Sequence, residues 1–205
     1  VQFNSPLNPA APELWMSQDV TFGRIVLGTT NLIFNLGQGR TLSTGAAGET
    51  KLNIANTFVR LTSGTVLQSA NYLNIGQQAG ASNCVLIVEG PYTRYLASNL
   101  SVLIGNGSNA VSCGLGVYNG AVMDGKFYIG NNSFSSQNWL EASGQGTMLW
   151  STNGAHFYVG NSAASCWNRF LLADSAAVKM KGGTFFVGAN KGATFNTATL
   201  LSGAS

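Results

Sequence analysis

Charge is what this sequence has least of. Ten Lys/Arg and seven Asp/Glu make only 8% of 205 residues, where about 25% is usual in a soluble domain. Proline is scarce (4), cysteine more so (3), and histidine occurs once. Each shortage excludes something. A disordered chain pairs low hydrophobicity with high charge, and this chain is 45% apolar with a mean hydropathy of +0.14. A coiled coil or long helical bundle needs abundant Ala, Glu, Lys, Leu and Arg. No apolar run approaches the roughly 18 residues of a membrane-spanning helix. Nucleic-acid binding needs clustered cations to displace counterions. The nearest approach to a cluster is Lys179, Lys181 and Lys191, and the net charge is only +3.

What is present is glycine and small polar side chains. With 26 Gly, 21 Asn, 20 Ser and 16 Thr, these four types make up about 40% of the chain. That mixture suits turns between short strands, and the length suits one all-β domain. The chain starts at Val1, so the expectation is a trimmed leader or a segment cut from a longer protein. Pro6, Pro9 and Pro12 fall in the first twelve residues. Residues 1–19 therefore read as an extended Pro-rich arm or cap, ending in an apolar cluster, Leu14, Trp15 and Met16, suited to an assembly contact.

From residue 71 to 192 the texture repeats. An apolar residue followed by glycine recurs at Ile75-Gly76, Ile104-Gly105, Ile129-Gly130, Val159-Gly160 and Val187-Gly188. These intervals fall in the solenoid range. Three residues before each glycine stand Leu73, Val102, Phe127, Phe157 and Phe185. Ten after it stand Leu86, Leu115, Leu140 and Phe170, and twelve after it Val88, Val117, Ala142 and Leu172. Two strands per repeat thus show a period-2 apolar face, separated by an Asn/Ser-rich turn. A third apolar patch follows at Val122-Met123, Met148 to Trp150 and Val178 to Met180. No such unit buries its apolar face alone, so the units must stack and share a core. The fold expected is a right-handed parallel β-helix over 20–205, a β-solenoid with an extended N-terminal arm. Leu27-Gly28, Leu36-Gly37 and residues 52–55 are candidate irregular rungs whose register the sequence does not set.

Residues 140–162, 169–178 and 182–188 resemble the degenerate repeats of bacterial autotransporter-type passenger domains and related exported β-helix proteins. The resemblance covers about 60% of the chain. It implies an extracellular or cell-surface location and roles in adhesion, self-association or surface-layer architecture. No membrane-spanning β-barrel translocator is visible.

Candidate chemistry is thin. His156 shares a face with Tyr158, and nothing in the pattern places a nucleophile and a carboxylate beside it. Glu89, Glu141 and Asp174 stand thirteen, eleven and fourteen residues after their glycines. They therefore form no column suited to a calcium site or to a catalytic pair. Gly37-Gln38-Gly39 and Gly144-Gln145-Gly146 lack the rest of a phosphate loop. Cys84 and Cys113 both stand eight after their glycines, which stacks them on adjacent rungs about 4.8 Å apart. The pair suits either a disulfide or two buried thiols. Asn138 and Asn168 hold the same position further on, as an asparagine ladder would. No cofactor and no metal are expected, and the chain is not read as an enzyme.

One column remains. Two before each glycine stand Asn74, Leu103, Tyr128, Tyr158 and Phe186. Their neighbours point inward, so Leu103, Tyr128, Tyr158 and Phe186 are expected to point out as a contact surface. The function expected is a non-catalytic structural protein, a homo-oligomer or homopolymer forming a fibre or surface layer. The alternative is an adhesin binding glycans along that aromatic column.

Overall fold

The chain is a parallel β-solenoid. A computed structural model describes all residues except 1, 4–12, 28–30, 45–49, 53–55 and 152–153, and at 2–3, 27, 51–52 and 98–99 the backbone alone. The early prolines, Gly28 and residues 53–55 lie outside the described residues. Among the described residues every regular element is a strand and none is a helix, so none is a helix able to cross a membrane.

Three parallel faces run along the solenoid axis. The first stacks Glu13–Trp15, Asn31–Asn35, 58–62, 85–89, Gly114–Tyr118, Trp139–Ser143, Arg169–Ala173 and Thr197–Leu200. The second stacks Val20–Phe22, Thr41–Thr44, 65–67, 93–96, 122–124, Met148–Ser151 and Ala177–Met180. The third runs from Gln2–Phe3 through Ile25–Leu27, Thr50–Leu52, Leu73–Ile75, 101–104, 126–129 and Phe157–Val159 to Phe185–Val187. Parallel pairing places equivalent side chains of successive rungs directly over one another.

The register read from the repeats is the register observed. Leu86 pairs with Leu115, Leu115 with Leu140, and Leu140 with Phe170. Leu73 pairs with Val102 and Val102 with Phe127, while Met123 pairs with Leu149 and Leu149 with Val178. Period-2 alternation sends these residues into one core. The Phe127 and Phe157 rings lie 5.3 Å apart, and Phe157 and Phe185 4.7 Å. Burying such side chains stabilises by roughly 1.5–3 kcal/mol each.

The N-terminal rungs differ in one respect. Ile25–Leu27 and Thr50–Leu52 continue the third face in register with Leu73–Ile75. Only a few residues then separate each from the next first-face strand, against the nine of residues 76–84. Leu27 holds the Ile75 position and is followed by Gly28, but the glycine is not repeated after Leu52, so the apolar-glycine spacing set no constant register there. Leu14 and Met16 also depart from an arm. Glu13–Trp15 is a solenoid strand paired with Asn31–Asn35, and Leu14 and Met16 pack against the core. Trp15 points outward and is 70% exposed.

Candidate functional site

The site is built by the long turn joining the third face to the first. It spans residues 76–84, 105–113, 130–138, 160–168 and 188–196. Across these five stacked turns Lys191 is the one charged side chain. The fourth residue after each glycine has positive φ: Gly80, Asn109, Phe134, Ala164 and Gly192. So does the seventh: Asn83, Ser112, Gln137, Trp167 and Phe195. Midway between them Ser82, Val111, Ser136 and Cys166 bridge rung to rung. Asn and Gly tolerate the left-handed region, whereas large aromatics rarely occupy it. Phe134, Trp167 and Phe195 do so here, and all three are more than half exposed. Trp167 and Phe195 stack with centroids 4.4 Å apart and planes within 10°.

Inside the same turns two amide ladders tie the rungs. Asn138 Nδ2 donates to Asn168 Oδ1 at 3.0 Å, and Asn168 Nδ2 to Asn196 Oδ1 at 2.9 Å. Each Oδ1 also accepts the backbone N–H of the residue one rung earlier: Asn138 from Cys113, Asn168 from Asn138, and Asn196 from Asn168. A second ladder runs Asn161 to Asn131, Asn131 to Asn106 and Asn106 to Asn74, at 2.9, 2.7 and 2.6 Å. Cys84 and Cys113 head the buried column as free thiols, not as a disulfide. The hydrogen bond to Cys84, and burial, push the Cys113 thiol above its usual range.

On the outer side of the first face, next to this turn, lies a cleft of about 320 Å³. It is lined by Ser112, Gln137 and Trp167 from the turn and by Trp139 and Arg169 from the strands. Trp139 leans over Gly114 of the preceding rung, and a Cβ there would overlap its indole. Arg169, directly below Trp139 in register, pairs with Glu141 at 3.7 Å. Ser112 Oγ lies 3.4 Å from Gln137 Oε1. Burial, and then the neighbouring Glu141, push the Tyr118 hydroxyl up to about 12.

The aromatic column expected from the sequence is assembled in register, but it is not uniformly exposed. Leu103 is buried, and so is Asn74 beside it. Tyr128, Tyr158 and Phe186 are half-buried, stacked at 5.0 Å in each step with planes within 14° and 9°. Tyr158 is thereby stacked on both faces, and Tyr128 and Phe186 each on one. His156 meets Tyr158 and Phe186 edge-on, and its Nδ1 accepts the Thr184 backbone N–H at 2.9 Å. Glu89 and Glu141 stand in different columns, opposite Tyr118 and Leu171.

No family model, curated protein or solved structure matches this chain.

Sequence reasoning missed Phe134, Trp139, Trp167, Arg169 and Phe195. The signal was available for Trp167 and Phe195, because both stand seven residues after their glycines. Trp139 and Arg169 were hidden by the reading of that face only through its inward residues.

Proposed function

We propose that this chain is a non-catalytic, extracellular structural subunit whose solenoids associate side by side into a fibre or surface layer. The observation that carries the reading is the long-turn ridge: five stacked turns with one charge among them and Phe134, Trp167 and Phe195 projecting into solvent. Identical surfaces bring identical charges together, so a ridge nearly free of charge is what a self-contact requires. Aromatic enrichment with charge depletion is the composition of interface cores. Three aromatics held at positive φ are costly features for a surface without a partner. The resemblance to exported passenger repeats supports the same reading.

The test is light scattering and electron microscopy of the purified protein across a concentration series, beside Phe134→Asn with Phe195→Asn. Asparagine accepts the left-handed conformation, so the double variant keeps the fold. The expected result is concentration-dependent assembly of the parent and a monomeric double variant. A parent that stays monomeric, or assembly untouched by the double substitution, overturns the reading. The adhesin alternative along Tyr128, Tyr158 and Phe186 is less favoured, because the central ring, Tyr158, is stacked on both sides and offers a saccharide only its edge.

A further inference from the structure

We infer that the cleft between Trp139 and Trp167 is a binding site for neutral pyranosides, one or two sugar rings of a glycan chain. Its volume, about 320 Å³, lies at the small end of ligand clefts. Its walls pair apolar platforms with polar groups of both kinds. A pyranose needs that combination: its C–H faces pack on aromatic rings, while its hydroxyls both donate and accept.

Trp167 has one face committed to Phe195, in a stack 4.4 Å deep. Its other face is turned along the axis toward the rung of Gln137. Trp139 is tipped over Gly114, and its register neighbours are Gly114 and Arg169. Its indole is therefore not set between two aromatic neighbours in register as Tyr158 is. Gln137 and Ser112 bring an amide and a hydroxyl to the rim, and the Arg169 guanidinium brings planar donors. The Glu141 carboxylate, 3.7 Å from Arg169, offsets its charge. That offset selects the ligand class. A free guanidinium would favour uronates or sulfated sugars, whereas a paired one suits neutral hydroxyls, with Arg169 donating and the Gln137 and Ser112 oxygens accepting.

The site adjoins the ridge proposed for assembly and shares Trp167 with it. Trp139 and Arg169, on first-face strands, line the cleft, while Phe134 lies on the ridge outside it. Substitutions at Trp139 and at Phe134 therefore separate the two readings.

The experiment is calorimetric titration of the full chain with neutral gluco-, manno-, xylo- and galacto-oligosaccharides and with oligogalacturonate, at low and high salt. Trp139→Ala, Trp139→Phe, Arg169→Gln and the single ridge variant Phe134→Asn are titrated alongside, with folding checked by thermal melts. The expected result is binding of a neutral oligosaccharide that changes less than about twofold with salt. Trp139→Ala should weaken it about tenfold or more, Trp139→Phe should largely keep it, and Phe134→Asn should bind as the parent does. Absence of binding to every neutral sugar by the folded protein overturns the proposal. So does binding to oligogalacturonate alone that salt abolishes, or binding that survives both Trp139→Ala and Arg169→Gln.

Discussion

The Asn168 carboxamide fills the space where a side chain on Gly130 would stand. The same relation joins Gly105 to Asn138, Gly160 to Asn196 and Gly76 to the Cys113 thiol. The recurrent glycine is therefore required twice, by its positive φ and by the ladder residue of the next rung. Gly130→Ala should cost roughly 2–5 kcal/mol, combining left-handed strain with overpacking. Chemical denaturation measures it, and a loss under about 1 kcal/mol would show that the ladder yields instead.

The ladder itself should matter most at its centre. Asn168→Ala leaves the Asn138 N–H without its acceptor and removes one of the two acceptors of Asn138 Nδ2, the Ala110 carbonyl remaining. The expected destabilisation is about 2–4 kcal/mol, because both donors are buried. Asn161→Ala, at the half-buried end of the second ladder, should cost less than about 1 kcal/mol. Equal losses in urea melts would mean that burial does not set the cost.

Stability should fall at high pH. Burial raises the hydroxyl pKa values of Tyr95 and Tyr128, and burial with Glu141 raises that of Tyr118 to about 12. Above the ordinary tyrosine value near 10 the unfolded chain loses these protons while the folded chain holds them to higher pH, the Tyr118 proton to about 12. Their contribution is thus complete below about pH 10 and is lost as pH rises through the folded values. Melting temperature should drop across that window, and Tyr118→Phe should flatten part of the drop. A profile level from pH 9 to 12 would contradict this.

Thiol reactivity should divide the three cysteines. Cys84 and Cys113 are buried, while Cys166 is half-buried on the turn. A thiol-specific reagent should label Cys166 in the native protein and reach the other two only on unfolding. Mass spectrometry of the labelled peptides reads the order, and early labelling of Cys113 would show that the second long turn opens.

Much of the fold was legible because a solenoid converts sequence period into contact. The apolar positions flanking each glycine predicted Leu73 over Val102 and Leu86 over Leu115, because parallel in-register stacking places equivalents together. The asparagine ladder followed from the same count, since Asn138 and Asn168 stand eight residues after their glycines. The first rungs were illegible because the glycine after Leu27 is not repeated after Leu52, and the count from there to the next first-face strand changes from rung to rung.

The sequence by itself determined the strands, the stacking register and the inward residues, since each depends on spacing alone. Tertiary structure decided what the outward residues do. Leu103 became buried, Tyr128 and Tyr158 turned their faces on each other, and Leu14 joined a rung. Trp139 tipped over Gly114 to open a cleft with Arg169 and Trp167. Alternation says which way a side chain leaves the strand, but its final orientation depends on neighbours one rung away.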